Sequence, residues 1–218
     1  KSYYDNYHNI KFIISGSESL FVKKKSRESL AGRIYDIHMQ VLDFKEYLKF
    51  KEKEQIIEKP KLFKEDIRKE VLKYFKRNFI EVIHEDEETL KLYLESIINK
   101  VVYEDIPSLF PVENPEKLKA LLRTIYSEPG IRIIYNNMGD DLSLSAKTIE
   151  KYLFYLLESN LIKKVYNFSN NFLTSEKKLK RFYMTAPCFC FLNDNYAIGK
   201  LVENCIAINS RIRFFWNS

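Results

Sequence analysis

Apolar residues recur at helical spacing through the middle of this chain and in short β-type runs near its start. Residues 11–15 and 34–39 are the β-type runs. Asp43 then stands where a helix cap belongs, with Glu46 three residues on as its reciprocal partner. The pattern predicts a charged helix over 44–57, ended by Pro60. From Glu65 to about Ile83, Ile67, Val71, Leu72, Phe75 and Phe79 mark one helical face. The acidic link His84–Glu88 leads into a helix predicted from Thr89 to Tyr103, because a helix N-terminus favours carboxylates. Pro107, Pro111 and Pro115 predict a linker.

Residues 116–186 carry the clearest sequence of elements. Leu118, Leu121, Leu122 and Ile125 mark a helix closed by Pro129-Gly130, and Asn136 to Leu142 allows a short second one. Ser143 to Thr148 is a polar turn in which either serine can cap the next helix. Ile149, Leu153, Leu156 and Leu157 define that third helix, and Leu161–Phe168 and Leu179–Thr185 read as two strands. Helix, helix, turn, helix and a two-stranded ribbon is the winged helix-turn-helix pattern. Lys147, Thr148 and Lys151 fall on the outer face of the third helix. Lys163, Lys164, Lys177, Lys178, Lys180 and Arg181 lie on or near the ribbon. That layout suits backbone phosphates of DNA, contacted without sequence preference.

Composition narrows the rest. The 218 residues are 45% apolar, with only 5 Gly and 6 Pro, which favours long regular elements and excludes global disorder. The net charge of +6 permits nucleic-acid binding without requiring it. Cys188-Phe-Cys190 is too tight for an ordinary zinc pair, so Cys188, Cys190 and Cys205 read as reduced core thiols. His8, His38 and His84 show no metal spacing. The chain carries no signal peptide and no apolar run of membrane-spanning length, so a cytoplasmic protein is expected.

Three segments together carry a resemblance. They are Ile13-Ile-Ser-Gly-Ser-Glu-Ser19, Leu30-Ala-Gly-Arg33 and Val41-Leu-Asp-Phe-Lys-Glu-Tyr47. In this order they resemble the archaeal and bacterial AAA-type ATPases that have a C-terminal winged-helix and nuclease-like region of unresolved function. Tyr93–Asp105, Lys147–Leu153 and Leu201–Asn204 continue the likeness downstream. Val41 replaces a family proline, and Arg77-Asn78-Phe79-Ile80 replaces a Gly-Gly-Phe-Pro turn, which must be built differently here.

The resemblance implies an α+β, mainly helical chain in four parts. Residues 1–50 are the C-terminal part of an AAA-type α/β core, 51–113 a helical connector, 114–187 the winged helix and 188–218 the start of a nuclease-like domain. It implies that Ser17 is a phosphate sensor at a strand end, with Ser15 as the alternative register and Gly16 between them. Arg33 is the implied arginine finger, reaching a neighbouring subunit's nucleotide. ATP and Mg²⁺ are then cofactors of a longer protein. No phosphate-binding loop precedes Ser15, so the chain alone is expected to hold no cofactor and turn over no ATP. The implied partners are DNA and further copies of the chain through the ATPase core, with no membrane. Glu203 resembles the first acid of the nuclease-like part but lacks companion acids, and it reads as a structural carboxylate. The competing class is a non-enzymatic winged-helix regulator of DNA, or a protein-interaction adaptor.

Overall fold

The computed structural model describes residues 39–167, 180–209 and 214–215, together with Lys11, Ile13, Tyr35 and Ile37. The expected strands at 11–15 and 34–39, with Ser15, Gly16, Ser17 and Arg33, lie outside the described residues, apart from those isolated positions and Met39. What is described is α+β and mainly helical.

Helix α1 (Phe44–Phe50) opens with the expected capping box: Glu46 N donates to Asp43 Oδ1 at 2.8 Å, and Asp43 N to Glu46 Oε2 at 2.9 Å. It is shorter than the periodicity predicts. The chain turns through a left-handed residue, Glu52 (φ 54°), and restarts as α2 (Gln55–Glu58), which buries Ile56. Helix α3 (Lys64–Lys76) ends earlier than predicted, because the next turn is organised by a buried amide. Asn78 is fully buried; its Nδ2 donates to Tyr74 O (3.1 Å), its Oδ1 accepts from Cys188 N (3.0 Å), and its carbonyl accepts from Leu42 N (2.9 Å). Two distant segments, at Leu42 and at Cys188, thus meet the end of α3 on one residue.

Helix α4 (Glu87–Lys100) is capped by Asp86, which accepts from Thr89 N at 2.7 Å. It does not stop before Pro107. A π-helical turn (Val101–Asp105) carries it into α5 (Ile106–Leu109), with Ile106 N reaching back to Val101 O. A wider turn spares the proline its missing N–H and the clash of its ring. The predicted linker is therefore helical in its first part.

Helix α6 (Pro115–Ser127) starts at Asn114, whose Oδ1 accepts from Lys117 N at 3.1 Å, with Pro115 at the position where a missing N–H costs nothing. It buries Leu118, Leu121, Leu122 and Ile125. A two-residue strand β1 (Ile131–Arg132) follows Gly130, whose φ of +84° favours glycine. Helices α7 (Tyr135–Leu142) and α8 (Ala146–Glu158) come next, then β2 (Ile162–Asn167) and β3 (Arg181–Met184). β3 lies between β1 and β2 and is antiparallel to both; β4 (Phe214–Phe215) adds to β2 in parallel.

One face of this sheet meets the helices through Ile162, Phe182 and Met184, which belong to a hydrophobic cluster that runs from Tyr47 to Cys205. The opposite face is covered by α9 (Ile198–Asn209), where Val165, Tyr183 and Ala207 make a second, small cluster. A 3₁₀ segment (Pro187–Leu192) that buries Cys188, Phe189 and Cys190 lies between β3 and α9. Among the described residues no helix is long and apolar enough to cross a membrane.

Candidate nucleic-acid interface

The turn between α7 and α8 fixes where the third-helix lysines point. Ser143 adopts a left-handed conformation (φ 52°) and closes α7, while Ser145 caps α8, accepting from Thr148 N at 3.1 Å. The two serines that the sequence leaves as alternatives therefore have different tasks. The turn is tight because of Gly139: Leu144 N donates to its carbonyl at 2.8 Å, and a Cβ at Gly139 would lie 2.6 Å from Leu144 O.

Helix α8 buries Ile149, Tyr152, Leu153, Tyr155 and Leu156. Lys147 and Lys151, four residues apart, are left exposed side by side on the opposite surface. Thr148 is drawn into the cap, its hydroxyl 2.8 Å from that of Ser145.

The ribbon lysines divide into two groups. Lys164 and Lys180 converge on the ring of Tyr166, at 4.8 and 5.8 Å from its centre. Lys163 and Arg181 sit on the other face and are engaged by α9. Lys163 Nζ donates to Ala207 O at 2.8 Å near the helix C-terminus, where a cation is favoured. Arg181 donates to Glu203 Oε1 at 2.7 Å in a partly buried ion pair. The sequence alone places these two among the phosphate contacts; their charged ends instead hold α9 to the sheet. Lys177 and Lys178 lie outside the described residues.

Glu203 also accepts from Tyr183 OH at 2.8 Å and has Lys200 at 3.7 Å. Burial, followed by the Glu203 carboxylate, pushes the Tyr183 hydroxyl up to about 12. Glu203 thus docks α9, and among the described residues no group of His, Cys, Asp or Glu is placed to hold a metal. Next to it, Asn204 makes a two-way bridge to β3: its Nδ2 donates to Met184 O (3.0 Å), and its Oδ1 accepts from Met184 N (2.9 Å). The sequence offers no local signal for either role, because both partners lie on a strand 20 residues away.

Two stretches of the chain match known families. Residues 79–188 match a family described as "Domain of unknown function (DUF8612)", and the chain belongs to that family. Residues 1–48 match an AAA domain, so the segment with Ser15, Gly16, Ser17 and Arg33 is related to the AAA type. A curated relative, the uncharacterized protein MJ1544 of Methanocaldococcus jannaschii, is 28% identical over 214 residues, covering 93% of this chain. The chain spans about half (47%) of that relative's length. No solved structure matches this chain.

Proposed function

We propose that this chain is the C-terminal portion of an AAA-type ATP-binding protein that couples nucleotide state to DNA through a winged helix. The carrying observation is the element order over 114–187: α6, β1, α7, α8, β2, β3, with a tight turn before α8 and β3 between β1 and β2. In this reading α8 is the recognition helix, and the β2–β3 hairpin is the wing. Lys147 and Lys151 contact backbone phosphates directly, with Lys164 and Lys180 at the base of the wing. Lys163 and Arg181 act indirectly, by fixing α9 across the back of the sheet.

The match of residues 1–48 to an AAA domain supports the nucleotide half of the reading. There Ser17 or Ser15 senses the γ-phosphate, Arg33 reaches the nucleotide of a neighbouring copy, and ATP with Mg²⁺ binds to parts of the longer protein. The second reading, a winged helix that docks a protein, draws on the same elements and predicts no salt-dependent affinity for DNA.

Charge reversal separates the two. The double variant Lys147→Glu/Lys151→Glu should weaken binding of a short duplex at least about tenfold, uniformly across sequences. Retention of wild-type affinity would rule out α8 as the DNA-facing element. The folded state should tolerate both changes, since the two side chains are exposed.

A further inference from the structure

A cleft of about 350 Å³ opens between the end of α1, the last turns of α3 and the link into α4. Tyr47 and Ile83 form its apolar floor. Four permanent cations line it, Lys51, Lys53, Lys73 and Arg77, together with His84. Two of the four share one carboxylate from within. Lys53 and Lys73 both donate to Glu70 Oε1, at 2.8 and 3.0 Å, and Tyr47 OH donates to the other oxygen of that buried carboxylate at 3.1 Å. At the rim, Glu87 is held by Lys76, and Glu85 stands exposed.

Lys51 and Arg77 have no such partner. Among the described residues neither forms an ion pair. Lys51 Nζ has only Ile83 O at 3.4 Å and His84 Nδ1 at 3.3 Å, both long for an ammonium. Arg77 spends one nitrogen on Glu85 O at 2.9 Å and keeps the rest of its fork. Both side chains are half-buried. Withdrawing a cation from water beside like charges is unfavourable unless an anion joins it. Lys51 bears the mark of this: burial pulls its pKa below the ordinary lysine value. The negative Glu70 opposes that shift, while Lys53, Arg77 and Lys73 add to it.

We infer that this cleft is a phosphate site, in which Lys51 and Arg77 together bind the oxygens of a phosphate dianion. A dianion suits the two lining cations that touch no carboxylate among the described residues, one a compact ammonium and one a planar fork that meets two oxygens at once. A monocarboxylate would leave one of them unmatched. Free phosphate and the phosphate end of a nucleotide share this chemistry.

The test is a thermal melt of the whole chain in phosphate, ADP, acetate and chloride at matched ionic strength and pH, repeated with variants. Phosphate, or ADP more strongly, raises the wild-type melting temperature above that in chloride; acetate does not. A gain with phosphate alone assigns the site to the free anion, and a larger gain with ADP assigns it to a nucleotide's phosphates. Lys51→Met melts no lower than wild type in chloride, because it removes a cation that burial disfavours. It loses the phosphate gain, with affinity at least about tenfold weaker. Lys51→Arg keeps part of the gain. The inference is overturned by an equal gain in acetate, by no wild-type gain, or by a gain that survives Lys51→Met. It is also overturned if Lys51→Met unfolds the chain in chloride while Lys51→Arg restores stability without any phosphate gain, since the lysine would then be structural.

Discussion

Glu70 shows how one buried charge is kept ionised. Burial alone would raise its carboxyl, but hydrogen bonds from Lys53, Lys73 and Tyr47 outweigh burial and hold it at about 2. A carboxyl held below its unfolded value stabilises the fold above roughly pH 4.5, and that contribution fades as pH falls towards 2. Glu70→Gln should therefore cost about 1–2 kcal/mol at pH 7, a modest figure because both lysines are part-exposed. It should also flatten the acid limb of a denaturation series between about pH 5 and 2. An unchanged acid limb would show that Glu70 is not the group responsible. The thiols are a second case. Burial pushes Cys188 and Cys205 up to about 12 and Cys190 higher still. None of the three should react with a thiol reagent at about pH 8 until the chain is unfolded; rapid labelling of the native protein would contradict their placement in the core.

At the scale of elements, the turn between α7 and α8 depends on Gly139. A methyl group there meets a backbone oxygen, which cannot swing aside as a long side chain could. Gly139→Ala should destabilise the chain by about 1–3 kcal/mol and, on the proposed reading of α8 as the recognition helix, weaken duplex binding; calorimetry and a binding titration check the two halves separately. The sequence is informative where partners are close along it. The Asp43–Glu46 box, the helical faces of α3, α4, α6 and α8, and the two longer strands are all legible because their determinants lie within a few residues of one another. The break after α1, the π turn before Pro107 and the hub at Asn78 are not. Asn78 satisfies a backbone N–H 110 residues away, and no local pattern announces such a partner. The two-residue strand β1 is too short to generate a period. The candidate interface is legible in part: Lys147 and Lys151 follow from the face of α8, whereas the diversion of Lys163 and Arg181 depends on α9 covering the sheet.

At the scale of the whole molecule, the helices before residue 114 and the helix-and-sheet unit after it share one apolar cluster. The α1 and α3 side chains are thus packed into the same body as α8, and the proposed coupling would run through that shared core. Helix α9 closes the same body from the other side through Glu203 and Asn204. The exposed lysines of this body are proposed to face DNA phosphates, and the decisive measurement is the slope of log affinity against log salt for a short duplex, taken for the chain and for Lys147→Glu/Lys151→Glu. Each phosphate contact contributes about −0.9 to that slope. A slope of about −2 to −4 is expected for the chain, reduced in magnitude by about 2 in the double variant. An affinity independent of salt, or a slope that the two reversals leave unchanged, would contradict it.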